Sequence, residues 1–152
     1  MQDFQNLPSV TVERESGITP EAAWGVLSDL SALPEWAPGI DGATMTSESL
    51  SGVGAVRRVE TAQFGPIEHH VTGWEDNAEL TYTTADSGPF SRTLTTYKIA
   101  PNGGGQAKVS VTLAFDVKPG AIEPEQAKAV LTKGLTATLQ ALEMRARASA
   151  DG

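Results

Sequence analysis

Lys108-Val-Ser-Val-Thr-Leu-Ala-Phe-Asp-Val117 alternates apolar and polar side chains, and Lys118-Pro-Gly-Ala121 then leads into one uninterrupted amphipathic segment from about Glu123 to Ala148. Side chains in a strand point to opposite faces in turn, so Val109, Val111, Leu113, Phe115 and Val117 share one face. Ser110, Thr112 and Asp116 fall on the other. In the segment that follows, Ala127, Leu131, Leu135, Leu139 and Leu142 recur at helical spacing and form one stripe. A long helix at the end of a strand-rich chain has that stripe to bury, and a curved sheet is the partner available. The two surfaces either close into a solid core or leave a pocket between them. That alternative decides whether the protein takes a ligand at all.

Working back from this ending, the pattern reads as strand, two short helices, six strands and one long helix. Val10–Arg14 alternates as a first strand. Thr19-Pro20-Glu-Ala-Ala supplies an N-cap, a proline at the first helical position and a helix-forming run, which predicts a helix from Pro20 to Ser28. A second short helical piece, Leu30 to Trp36, contains Pro34 and is closed by Pro38-Gly39. Strands are expected near Asp41–Glu48, Gly54–Ala62, Ile67–Glu75, Glu79–Ala85, Arg92–Ala100 and Gln106–Val117. Gly65-Pro66, Asp76-Asn77 and Asn102-Gly-Gly-Gly105 mark turns, and Gly88-Pro89 is expected in a longer connection. Consecutive strands with short connections pair antiparallel, so the class is α+β rather than doubly wound. Residues 1–8 read as a flexible arm and residues 9–150 as a single domain.

The 152 residues suffice for one domain with its own core. There is no cysteine, which excludes disulfides, thiolate metal sites and a cysteine nucleophile. With 19 acidic against 11 basic residues the net charge is −8, a balance that repels phosphate backbones and anionic membranes. No segment has the length and hydropathy of a membrane span, and MQDFQNLPSV lacks the features of a signal peptide. The expectation is a cytoplasmic protein, monomer or homodimer, with no nucleic-acid partner and no membrane insertion.

Several segments resemble the START/Bet v 1-like (SRPBCC) superfamily over about Val10 to Arg147. They are Leu33-Pro-Glu-Trp-Ala-Pro38, Val71-Thr-Gly-Trp74 and Leu80-Thr-Tyr82. Gly88-Pro-Phe90 together with Phe115-Asp-Val-Lys-Pro-Gly-Ala121 is similar to the polyketide cyclase/dehydrase group, and within it to bacterial aromatase/cyclases. The resemblance implies a helix-grip fold, a curved antiparallel sheet of roughly seven strands around the C-terminal helix, enclosing an apolar cavity. In such enzymes the cavity folds a poly-β-ketone for aldol closure, dehydration and aromatisation, with arginine and tyrosine side chains credited with acid/base and carbonyl-polarising roles. The implied activity needs no cofactor. Where such enzymes tend to carry a tyrosine shortly after the tryptophan, this chain has Pro38, Gly39 and Ile40, and in the central strand it offers Glu68, His69 and His70 rather than an evident arginine.

Adjacent strand residues diverge, so only one of His69 and His70 enters an interior, and they do not form a paired metal site. Ile67, His69 and Val71 share parity, which turns His69 inward, where a neutral imidazole has the pKa to abstract a proton between two carbonyls. The alternative is a histidine on the sheet surface or satisfied in the core. Arg57 shares parity with Ala55 and Val59. Inside, it would polarise a carbonyl and require a partner, with Glu68 and Asp86 the available carboxylates; outside, it is a solvated cation. Tyr82 and Tyr97 sit mid-strand, as ligand-facing hydroxyls or as ordinary packing. The candidate catalytic set is His69, Arg57, Tyr82 and Tyr97, with no metal. Trp36, Phe64, Val71, Phe90, Leu113, Phe115, Leu131 and Leu135 are candidate ligand-binding walls, Trp36 and Phe90 at the mouth. Three functions remain open: a cyclase or aromatase-like catalyst, a non-catalytic carrier or sensor of lipophilic molecules, and a protein whose interior is filled by its own side chains and which acts through partners.

Overall fold

In the computed structural model, which describes residues 6–151, seven strands form one antiparallel sheet in the order β1-β7-β6-β5-β4-β3-β2. The strands are β1 (Ser9–Glu15), β2 (Ile40–Met45), β3 (Val56–Thr61), β4 (Gly65–Glu75), β5 (Glu79–Ser87), β6 (Phe90–Pro101) and β7 (Ala107–Val117). From β2 to β7 every strand pairs with its sequence neighbour, as short turns dictate. Only β1 joins out of order, beside β7, with Val10 opposite Leu113 and Val12 opposite Val111. The helices are α1 (Pro20–Leu27), a 3₁₀ helix over Leu30–Glu35, and α2 (Pro124–Asp151). This is the helix-grip architecture that the family resemblance implied, with the sheet that the stripe of the last helix required. Of the arm expected over residues 1–8, residues 1–5 lie outside the described residues; the Pro8 carbonyl accepts a hydrogen bond from the Phe115 amide at 3.0 Å.

The local signals act as physics requires. Thr19 caps α1, its hydroxyl oxygen accepting from the Ala22 amide at 3.1 Å, and Pro20 fills the first helical position where no donor is needed. The piece carrying Pro34 forms a 3₁₀ helix rather than an α-helix. One expected connection is corrected. Gly88-Pro89 is no long loop but the two-residue turn of the β5–β6 hairpin, with Ser87 paired to Phe90. Gly88 supplies the positive φ, 54°, that such a turn demands.

Inward residues follow strand parity and gather into three apolar clusters rather than one. The largest joins Trp24, Leu27 and Leu30 to Val71, Leu80, Tyr97, Ile99, Val109 and Val111, and to Leu135, Leu139, Leu142 and Ala146 of α2. A second holds Leu33, Val59 and Ile67. A third holds Phe90, Phe115 and Ala127, with Leu113 and Leu131 against it. Each fully buried leucine contributes on the order of 1.5–3 kcal/mol. The C-terminal half of α2 is further tied to β1 through Glu143, which pairs with Arg14 at 2.8 Å and with Arg147 at 2.8 Å. Two arginines hold that carboxyl below its usual range, outweighing the opposing effect of burial. No helix among the described residues is long and apolar enough to cross a membrane.

Candidate functional site

The three clusters do not fuse because polar side chains occupy the inward positions between them. Along β5, Tyr82 is followed at the same parity by Thr84; along β6, Thr93 and Thr95 precede Tyr97. All are buried, as is His69 of β4. Thr84 pairs with Thr93 in cross-strand register, their hydroxyls 2.5 Å apart, and the Ser87 hydroxyl donates to Thr84 at 2.9 Å. These groups form the floor of an inner cavity of about 160 Å³. Ile67, Phe64, Phe90, Leu113 and Leu131 form its walls.

A larger apolar trough of about 360 Å³ lies outside it, along the N-terminal half of α2. Leu131, Leu135, Ala127 and Val130 line the helix side, with Pro38, Pro89, Phe90, Ile122 and Phe64 among the residues facing them. Phe64, Phe90 and Leu131 line both volumes and so mark where one opens into the other. Phe64 sits in the β3–β4 turn, 37 % exposed, its amide donating to Thr61 Oγ1 at 2.9 Å. Its ring rests against Gly88, where any Cβ would collide with it. Two hairpin turns therefore meet at the mouth.

Behind the floor lies a buried polar group of unusual composition. Arg57 stands directly opposite His69 in the β3–β4 register, and its Nε donates to His69 Nδ1 at 3.0 Å. Arg57 Nη1 donates to the Leu30 carbonyl at 3.0 Å, and the guanidinium lies 5.2 Å from the centre of the Tyr82 ring. Tyr82 stacks on the His69 imidazole, ring centres 4.2 Å apart and planes 11° from parallel. Tyr97 lies beyond, 6.4 Å from Tyr82. Burial and the neighbouring Arg57 charge push the His69 pKa well below its usual value, so the imidazole is neutral. Burial likewise lowers Arg57 and raises Tyr97 well above the usual phenol.

The candidate residues divide accordingly. His69, Tyr82, Phe64, Phe90, Leu113 and Leu131 line the inner cavity, and Leu135 lines the trough. Arg57 and Tyr97 stand behind the wall. Val71 belongs to the main core, and Phe115 is wholly buried behind Phe90, the two rings edge to face at 5.5 Å. Trp36 is away from the mouth. It ends the 3₁₀ helix and borders a separate groove of about 300 Å³ between α1 and α2, beside Arg145. Neither carboxylate expected to accompany Arg57 does so: Glu68 faces outward beside His70, and Asp86 pairs with Lys118. Thr84, Ser87, Thr93 and Thr95 were missed by sequence reasoning; the parity of Thr84 with Tyr82 and of Thr93 and Thr95 with Tyr97 carried the signal, whereas Ser87 has the opposite parity and is buried only past the positive φ of Asp86.

Residues 8–147 match the family model described as polyketide cyclase/dehydrase and lipid transport. No curated protein matches the chain. Among solved structures, a START superfamily protein from Mycobacterium smegmatis aligns with TM-score 0.79 and 21% identity, covering 91% of this chain and 97% of that one. The ZhuI aromatase/cyclase from Streptomyces sp. R1128 aligns with TM-score 0.78 and 15% identity over 93% and 94% of the two chains. The protein XoxI from Bacillus cereus aligns with TM-score 0.78 and 20% identity over 91% and 94%. At such identities the likeness is one of fold.

Proposed function

We propose, because this chain belongs to the polyketide cyclase/dehydrase and lipid transport family, that its cavity takes an apolar, aromatic or polyketide-like molecule and promotes its aldol cyclisation and dehydration. The observation that carries this reading is that the trough along α2 adjoins a second cavity lined by His69, Tyr82, Thr84, Ser87, Thr93 and Thr95. The two volumes together fall in the range of small-molecule sites. A chain of carbonyls and methylenes laid along Leu131 and Leu135 would bring one carbonyl to His69, Tyr82 and Thr95. Confinement supplies most of the rate for such a reaction, since it holds the carbon nucleophile against the carbonyl it attacks. A donor at the floor stabilises the alkoxide as the carbon–carbon bond forms, and the aldol hydroxyl then leaves as water. No cofactor enters this scheme.

The second reading, carriage of a lipophilic molecule without chemistry, is favoured by a specific observation. No carboxylate is among the residues lining either volume. The two readings separate on incubation of a poly-β-ketone mimic with wild type and Tyr82→Phe, alongside native mass spectrometry of co-purifying molecules. Cyclised product formed faster than in buffer, and more slowly by the variant, supports catalysis. Retention of the mimic with no product above buffer supports carriage.

A further inference from the structure

Arg57 is 3 % exposed, and the groups around it, the His69 ring nitrogen, the Leu30 carbonyl and the Tyr82 and Tyr97 side chains, include no carboxylate. It does not line the cavity. What it does is determined by which atom it touches. A guanidinium can only donate, so His69 Nδ1 must accept, and the lone pair of that nitrogen is used. A neutral imidazole carries one proton, which then resides on Nε2. Adding a second proton would set an imidazolium against a guanidinium away from water, and both burial and the Arg57 charge oppose it. The ring cannot turn to escape, because Tyr82 stacks flat against its face.

We propose that Arg57 is a positioning residue that fixes His69 as the Nε2–H tautomer, so that the cavity floor presents a permanent hydrogen-bond donor and no imidazole base. The proton-abstracting role expected of His69 is replaced by a carbonyl-polarising one. The ligand is selected for an acceptor at its inner end, a ketone or an anionic oxygen, and against an amine or other donor there. The guanidinium strengthens that N–H by polarising the ring from the far side, as coupled hydrogen bonds do in a low-dielectric interior. Its buried charge is left for the acceptor oxygen to balance. The selectivity rests on the reading of the cavity as a ligand site; the tautomer does not.

The test uses the full chain with ¹⁵N-labelled histidine, His70→Gln serving to assign the signals, and two probes of matched shape, 1-tetralone and tetralin. Wild type should show His69 with a pyridine-like Nδ1 and a protonated, pyrrole-like Nε2. Arg57→Met should lose that pattern, and Arg57→Lys, which still donates, should restore it. Wild type should bind the ketone about tenfold more tightly than the hydrocarbon, roughly the worth of one hydrogen bond. Arg57→Met should abolish the preference while leaving tetralin affinity unchanged, which also shows that the variant is folded. A proton on Nδ1 in wild type, or an unaltered pattern in Arg57→Met, overturns the proposal. Equal binding of both probes by wild type overturns the selectivity. If neither probe binds, the ligand reading of the cavity fails, and the nitrogen shifts alone then decide the role of Arg57.

Discussion

Along α2 the same apolar stripe meets two differently built partners. From Leu139 to Ala146 it shares one cluster with α1 and the inward residues of β6 and β7, and the groove bordered by Arg145 and Ala146 lies between the helices rather than against the sheet. From Ala127 to Leu135 it spans the trough and the inner cavity, with Val130 57 % exposed. The helix pattern does not change between the halves. The facing sheet does: Ile99, Val109 and Val111 on one side, Thr84, Thr93, Thr95 and His69 on the other. Hydroxyls that already bond to one another give an apolar side chain nothing to gain by covering them, so the interior closes over the first set and stays open over the second.

Truncation is the strongest way to break this comparison. Leu142→Ala should cost about 2–5 kcal/mol, as for a fully buried leucine, whereas Leu131→Ala, already bordering empty space, should cost less than about 1 kcal/mol. Equal losses in urea denaturation would erase the distinction between the halves. Next in size is Gly88→Ala, where a side chain must adopt a positive φ and displace Phe64; a loss of about 1–2 kcal/mol is expected. A neutral result would mean that the two turns do not bear on each other. Thr93→Val removes the hydroxyl partner of Thr84 and should cost about 1 kcal/mol. A gain in stability instead would mean that the floor is strained rather than satisfied.

The smallest effects are pH slopes, and they fall in separate windows. His69 has a folded pKa below its unfolded value of 6.5, so the unfolded chain binds the extra proton first. The stability associated with its neutral form is present above pH 6.5 and lost as pH falls from there toward the folded pKa. Glu143 is depressed below 4.5 in the solid half, so its contribution is present above that value and lost as pH falls through the folded pKa. Thermal melts across pH should show both losses, with His69→Gln removing the first slope and Glu143→Gln the second. A single window shared by both variants would show that the halves titrate as one.

Much of this was legible beforehand. Parity turned His69 inward and offered the same for Arg57, whereas Tyr82 and Tyr97 were legible only as mid-strand candidates, and the stripe on α2 required the sheet that covers it. The contact between Arg57 and His69 was not legible, because it depends on the β3–β4 register, and pairing across a hairpin is fixed by turn geometry rather than by the pattern of either strand. The same reason hid the hydroxyl floor: each threonine reads as an ordinary strand residue until its cross-strand partner is known. Trp36 was misplaced because the 3₁₀ helix ends at Glu35 and turns the indole toward α1 and α2, a direction that composition does not encode.

Phe64 resting on Gly88 has a consequence for time rather than for affinity. The ring borders both the trough and the inner cavity, so on the proposed function a molecule moving between them would pass against it, while the glycine beneath leaves no side chain to share that contact. On the proposed function, strength of binding would be set at the floor, by His69 and the threonines. The dwell time of a bound molecule would then be set at the mouth, by how often one aromatic ring swings aside. The two quantities are therefore adjustable by different residues on different hairpins.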